Sequence, residues 1–233
     1  MAAPVLIDSF RHGIFVSCQA DPGTPLDRSD HIAALAAAAE LGGACGFRVN
    51  GTFDVAAVRA VSALPIIGIV KVDTPGLSLR ITPTLASALS VVEAGAEIVA
   101  LDATGRQRPG KEELGAIVGA LHERGVAVMG DVASVEQGRI ARDAGVDLVS
   151  CTLAGYTEET AAMDQSGPAL DVIAGLGQHG LPVIAEGRIW TLEHAQACFA
   201  AGAHALVIGS AITAPDKITR RFVAGTAFAG HLP

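Results

Sequence analysis

Short apolar runs recur along the chain, with amphipathic stretches between them. Eight stand out: IFVSCQA from Ile14, ACGFRVN from Ala44, PIIGIVKVD from Pro65, IVALDAT from Ile98, VAVMGDVA from Val126, LVSCTLAGY from Leu148, PVIAEGRI from Pro182 and ALVIGSAI from Ala205. They do not alternate with polar residues, which is the pattern of parallel strands covered on both faces. The stretches between them read as helices. DHIAALAAAAELGG (30–43) puts Ile32, Leu35, Ala36 and Ala39 on one face, and Gly42-Gly43 supply a stop. TLASALSVVEAGAE (84–97) follows Thr82-Pro83 and ends near Gly95. SVEQGRIARDAGVD (134–147) opens with Ser134 and has Gln137 three residues on, the spacing of a capping box. TLEHAQACFAAGAH (191–204) has Thr191 as its cap and Gly202 at its end. The phrase Ala-Gly-Ala or Ala-Gly-Val recurs between helix and strand at 94–96, 144–146 and 201–203, a weak internal repeat.

Eight strand–helix units without a Ser/Pro linker predict an α/β fold: a single-domain (β/α)8 barrel over residues 1–233. A doubly wound open sheet is the runner-up, disfavoured because no G-x-G-x-x-G follows the first strand. Segment 157–168, TEETAAMDQSGP, is read as the only long irregular stretch and as a mobile loop over the active site.

Composition narrows the function classes. Half the residues are apolar and 17% are charged, which excludes a disordered chain. The net charge of −8 opposes a sequence-independent grip on nucleic acid. The mean hydropathy of +0.44 raises the question of a membrane span, but no apolar run approaches ~18 residues. The start, MAAPVLIDSFRHGIF, does not read as a signal peptide. Cys18, Cys45, Cys151 and Cys198 form no C-x-x-C pair and are expected to be reduced thiols in a cytoplasmic protein. The seven histidines fall mostly on helices and turns, so metal catalysis is not expected. Ala-rich helices are compatible with a homodimer, although no heptad seam marks one.

In such a barrel the active site is built where the strands end. Those ends offer Gln19, Arg48 and Asn50, Lys71 and Asp73, Asp102 and Arg106, Asp131, Thr152 and Tyr156, Glu186 and Arg188, and Gly209 with Ser210. Lys71 is the sharpest. The chain has only three lysines; Lys111 and Lys217 fall on predicted helices, leaving Lys71 as the one in a strand. Its stem follows IIGIV, and desolvation would make its amine a base or nucleophile near neutral pH. Glu186 is a second candidate, as an acid or an arginine's partner. Gly187, Arg188, Gly209 and Ser210, leading into the helix PDKITRRFVAG (215–225), suit a phosphate cradle. A base, an acid and an anion site together suggest proton transfer on a small phosphorylated molecule.

Several strings resemble bacterial N-acetylmannosamine-6-phosphate 2-epimerases: GGACGFRVNG (42–51), LPIIGIVK-x-D (64–73), GAEIVALDAT-x-R-x-RP (95–109), IAEGRI-x-T-x-E-x-A (184–195) and GAHALVIGSAIT-x-P (202–215). The resemblance runs in order through most of the chain. It implies a barrel enzyme without metal or other cofactor, an isomerase of amino-sugar catabolism, that interconverts N-acetylmannosamine 6-phosphate and N-acetylglucosamine 6-phosphate. It places Lys71 at the family's catalytic lysine and Glu186 at its second catalytic position. It also places Gln19, Arg48 and Asp131 at positions that contact the sugar or hold the lysine; Thr152 and Tyr156 join the substrate-binding set. Two departures stand out. Val72 and Thr74 replace the family's usual Arg and Tyr, and Ala214 replaces an arginine on the phosphate. A lost charged hydrogen bond is worth about 1.5–3 kcal/mol. Either Arg220 or Arg188 takes over, or the substrate is a related unphosphorylated amino sugar. A Schiff-base lyase acting through Lys71 and a non-catalytic sugar-phosphate sensor are the competing readings.

Overall fold

The computed structural model describes residues 3–72 and 78–226. Asp73 and Thr74, named above, and His231, one of the seven histidines, lie outside the described residues. Eight strands close into a barrel in chain order: β1 (Ile14–Cys18), β2 (Gly46–Asn50), β3 (Ile66–Ile69), β4 (Ile98–Asp102), β5 (Ala127–Asp131), β6 (Leu148–Ser150), β7 (Val183–Glu186) and β8 (Ala205–Ile208). Each pairs in parallel with the next, and β8 returns to β1. An open sheet is thereby excluded. Each predicted run holds one strand, but Lys71 lies two residues beyond the end of β3 instead of within it.

Alternate residues of each strand face the barrel axis, and the register stacks them into layers. Phe15 stands beside Gly46 and Val207, Ile98 beside Ala127, and Asp102 beside Asp131. Climbing each strand two residues at a time, the inward side chains change from apolar to polar. The ladders read Phe15–Ser17–Gln19, Ile67–Ile69–Lys71, Ala127–Met129–Asp131, Leu148–Ser150–Thr152 and Ile184–Glu186. The outward set, including Val16, Phe47, Val49, Val99, Val128 and Ala185, packs under the helices as a second core. Both faces are therefore dry, which is why the runs show no period of two. Gly46 is required by this packing: a Cβ there would overlap the Phe15 ring.

Helix α1 (Ala3–Ser9), which the sequence reading did not anticipate, stoppers the lower end of the barrel. Its Leu6 and Ile7, with Phe10, pack against the bottom layer of Phe15, Ile98 and Ala205. Phe10 meets the Phe15 ring edge-on at 4.9 Å, and the His204 ring nitrogen Nε2 lies 2.9 Å from the Ile7 carbonyl oxygen.

The outer helices are α2 (Ser29–Leu41), α3 (Thr52–Val61), α4 (Leu85–Glu93), α5 (Leu114–His122), α6 (Val135–Asp143), α7 (Leu170–Gly177), α8 (Leu192–Ala200), the four-residue α9 (Ser210–Thr213) and α10 (Pro215–Gly225). Thr84, Ser134 and Thr191 cap α4, α6 and α8 by accepting from the backbone three residues on. At α6 only half of the predicted box forms. Gln137 Oε1 accepts from the Ala133 N–H at 2.8 Å, one residue before the cap. The Ala-Gly repeat proves to be one helix stop used three times. Gly95, Gly145 and Gly202 have φ of 112°, 93° and 99°. The next residue's N–H then bonds back across the last turn: Ala96 to Val91, Val146 to Ala141 and Ala203 to Cys198. That is the Schellman arrangement, which suits glycine because a Cβ disfavours positive φ.

The 157–168 stretch is neither wholly irregular, since Glu158–Thr160 form a 3-10 turn, nor the only long connection, since 19–28 and 103–108 lack regular structure. Among the described residues no helix is long and apolar enough to cross a membrane. The four cysteines are unpaired, and burial pushes the Cys18 and Cys198 thiols up to about 12.

Candidate active site

The polar upper ends of the ladders open into a cavity of about 650 Å³. Gln19, Lys71, Thr152, Tyr156, Glu186, Gly187, Arg188, Gly209 and Ser210 all line it. Arg48 and Asp131 are absent from the wall. Both are buried directly beneath it, with side chains 1% and 0% exposed.

These two residues form the floor on which Glu186 rests. Arg48 Nη2 donates to Asp131 Oδ2 at 2.5 Å, and Nη1 donates to Asp131 Oδ1 at 3.1 Å. The same Nη1 donates to Glu186 Oε2 at 2.7 Å. Thr152 Oγ1 bridges the two carboxylates, 3.1 Å from Asp131 Oδ1 and 2.9 Å from Glu186 Oε2, and Ser150 Oγ lies 2.7 Å behind it. The five residues come from β2, β5, β6 and β7 and the loop after β6. Each occupies the top rung of its ladder or the rung next to it. Burial by itself would lower the Arg48 pKa; Asp131 and Glu186 outweigh it and raise it, so the guanidinium is a permanent charge. Burial raises the Glu186 pKa, Arg48 pulls it back down, and Asp131 adds to the rise. The result is a carboxyl group held protonated to higher pH than a surface glutamate.

Lys71 faces this carboxyl group across the cavity. Its backbone is fixed from both sides. Its N–H donates to Asn50 Oδ1 at 2.8 Å, and it forms an isolated antiparallel bridge with Ile81. Val72 donates to the Arg80 carbonyl at 3.0 Å, and Thr82 donates to the Val70 carbonyl at 2.8 Å. The buried Arg108 in turn donates to the carbonyls of Thr82, Pro83 and Asp102, tying that return strand to the loop after β4. The lysine touches solvent at the barrel mouth, but the surrounding wall strips much of its hydration. That desolvation, then the charge of Arg48, lowers its pKa, while Glu186 and Asp21 pull the other way. A lowered lysine and a raised glutamate in one cavity are two groups whose proton affinities are brought closer together.

Other candidates fall outside this machinery. Asp102 does not line the cavity; its Oδ1 accepts from the Thr104 N–H at 3.0 Å and Oγ1 at 2.6 Å. Arg220 is a surface residue, 3.8 Å from Asp216, and does not line the cavity. Arg188 does line it, but its Nε donates to the Gly167 carbonyl at 2.7 Å and its Nη1 to the Ala154 carbonyl at 2.9 Å. It clamps the loop after β6, with its guanidinium 5.6 Å from the Tyr156 ring centre. Gln19 Nε2 donates to Ser17 Oγ at 2.7 Å, while its Oε1 is buried without a hydrogen-bond partner among the described residues. Among the wall residues that the sequence reading did not place in the site are Lys217 and Asp21. Lys217, assigned only to a helix, reaches the cavity and meets Asp21 Oδ2 at 2.9 Å. The one sequence signal for Lys217 was spacing: it stands three residues past Ala214, in the first turn of α10.

The family model described as "Putative N-acetylmannosamine-6-phosphate epimerase" matches residues 32–227. The chain belongs to this family. It is 44% identical to the "Putative N-acetylmannosamine-6-phosphate 2-epimerase" of Cutibacterium acnes, over 93% of this chain and 95% of that one. It is 42% identical to the protein of the same description from Caldanaerobacter subterraneus, over 94% and 92%. Among solved structures, the N-acetylmannosamine-6-phosphate 2-epimerase of Clostridium perfringens superimposes with a TM-score of 0.90 at 36% identity, covering 94% of this chain and 95% of that one. A thiamine phosphate pyrophosphorylase from Pyrococcus furiosus, 14% identical with a TM-score of 0.59, shares the fold alone. The family's span takes in Lys71, the Arg48–Asp131–Glu186 floor and the loops after β7 and β8.

Proposed function

We propose that this epimerase-family protein interconverts N-acetylmannosamine 6-phosphate and N-acetylglucosamine 6-phosphate by moving the proton on C2. The observation that carries the reading is the pairing of Lys71, its pKa lowered, with Glu186, its pKa raised, in one cavity. In the open-chain sugar the C1 aldehyde acidifies the C2 proton. The neutral Lys71 amine takes that proton and becomes an ammonium, and the electron pair moves onto the C1 oxygen as an enediolate-type anion. The new ammonium stabilises that oxyanion. Protonated Glu186 supplies the proton that returns to the opposite face of C2, directly or relayed by a substrate hydroxyl, and is left as a carboxylate held by Arg48. Arg48, Asp131 and Thr152 are positioning residues acting through Glu186. Gln19 Oε1 accepts from a substrate hydroxyl or amide, and Gly187, Arg188, Gly209 and Ser210 shape the phosphoryl end of the cavity.

The test is proton NMR in heavy water, with N-acetylmannosamine 6-phosphate and N-acetylmannosamine offered in parallel. Deuterium should enter C2 of the phosphorylated sugar as the second epimer appears, and Lys71→Met should abolish both signals. Near-normal exchange in Lys71→Met overturns the assignment of the base. Exchange with the free sugar alone overturns the phosphorylated substrate. A lysine adduct trapped by borohydride would establish the lyase reading instead.

A further inference from the structure

The one cation assigned so far to the phosphoryl end, Arg188, is held by backbone carbonyls. Three basic side chains line the cavity: Lys71, Arg188 and Lys217. Lys71 belongs to the reacting carbon. Arg188 is committed through Nε and Nη1 to the carbonyls of Gly167 and Ala154. Lys217 stands in the first turn of α10, three residues after Ala214, beside the loop of Gly209 and Ser210. Ala214 presents only a methyl group there, and no side chain caps α10. The Lys217 ammonium carries three N–H donors, of which the contact with Asp21 Oδ2 uses one. That pair is open to water, with side chains 37% and 65% exposed, so Asp21 is easily replaced as partner. Asp216 also lines this rim. Without Lys217 the rim would present two carboxylates to an incoming dianion.

We propose that Lys217 is the side chain that recognises the phosphoryl group of the substrate. Asp21 holds its ammonium over the cavity until the phosphoryl oxygens take the carboxylate's place. The inference rests on the reading of the substrate as a sugar phosphate and makes Lys217 the residue that sets preference for the phosphorylated over the free sugar.

The experiment compares kcat/KM for N-acetylmannosamine 6-phosphate and for N-acetylmannosamine in wild type, Lys217→Met and Lys217→Arg. It is paired with calorimetric titration of the phosphorylated sugar. Loss of one charge-assisted contact should lower the ratio of the two kcat/KM values by about 10- to 100-fold in Lys217→Met, through KM, with Lys217→Arg recovering most of it. Calorimetry should show the same loss of affinity. Asp21→Asn, which frees the ammonium, should tighten the phosphorylated sugar by about two- to fivefold, a gain that general damage does not produce. A ratio in Lys217→Met within about twofold of wild type overturns the inference, whether both substrates fall together or neither does. The two readings fail separately. Lys217-dependent binding without C2 exchange refutes the reaction and leaves the inference standing; exchange and binding indifferent to Lys217 do the reverse.

Discussion

Replacing Arg48 with methionine tests whether the cavity floor is an electrostatic unit. Methionine fills much of the same volume but removes four hydrogen bonds from the guanidinium, two to Asp131 and one each to Glu186 and Thr152. Breaking a buried pair by removing one partner costs about 3–5 kcal/mol, because a buried charge is left uncompensated. Here the loss has a ceiling. Thr152 Oγ1 holds the two carboxylates together, and one of them can take a proton instead of remaining charged. Protonating a carboxyl group of ordinary pKa at pH 7 costs about 4 kcal/mol, at 1.4 kcal/mol for each pH unit. The sign follows. Glu186 already has a raised pKa, so its contribution is fully present below its unfolded value and is lost as pH rises through the folded value. Arg48→Met widens that window upward. Urea denaturation at pH 7 should therefore show a loss of about 3–4 kcal/mol, and the loss should be smaller at pH 5, where the proton that replaces the guanidinium charge costs less. Asp131→Asn in the Arg48→Met background should cost less than the sum of the single changes. A loss under about 1 kcal/mol, or one indifferent to pH, would refute the reasoning.

Three further outcomes follow from the same geometry. The pH profile of kcat/KM should be a bell, limited at low pH by protonation of Lys71 and at high pH by ionisation of Glu186; a monotonic profile contradicts the pairing. Thr152→Val removes a hydroxyl that lowers the Glu186 pKa, so the profile should move toward higher pH, and an unmoved profile argues against the bridge. Gly46→Ala forces a methyl group into the Phe15 ring and should cost about 1–3 kcal/mol, read as a fall in Tm; an unchanged Tm means the bottom layer is looser than described.

The barrel was legible because each strand is covered on both faces and three of the helices stop in the same way. The Ala-Gly phrase needed only local chemistry to be read. Lys71, Glu186, Gln19 and Thr152 were legible as strand ends because position along a strand decides depth in a barrel. What stayed hidden depends on several strands meeting. Arg48 looked like a substrate contact because nothing local shows that Asp131, 83 residues on, and Glu186, 138 residues on, converge on it. Lys217 and Asp21 belong to opposite ends of the chain and meet only when β8 closes against β1. The α1 stopper was missed because its APVLIDS segment is too short to show a helical period.

Arg108 carries a consequence for how such barrels can be rebuilt. It belongs to the connection after β4, yet its donors fasten the return segment at Thr82 and Pro83 that fixes Lys71 after β3. The third and fourth units are therefore one inheritable block. A chimera that trades units with a related barrel should keep its lysine aligned when the seam falls after α5, the helix that follows β4. It should lose that alignment when the seam divides β3 from β4, even if every strand still finds its place in the ring.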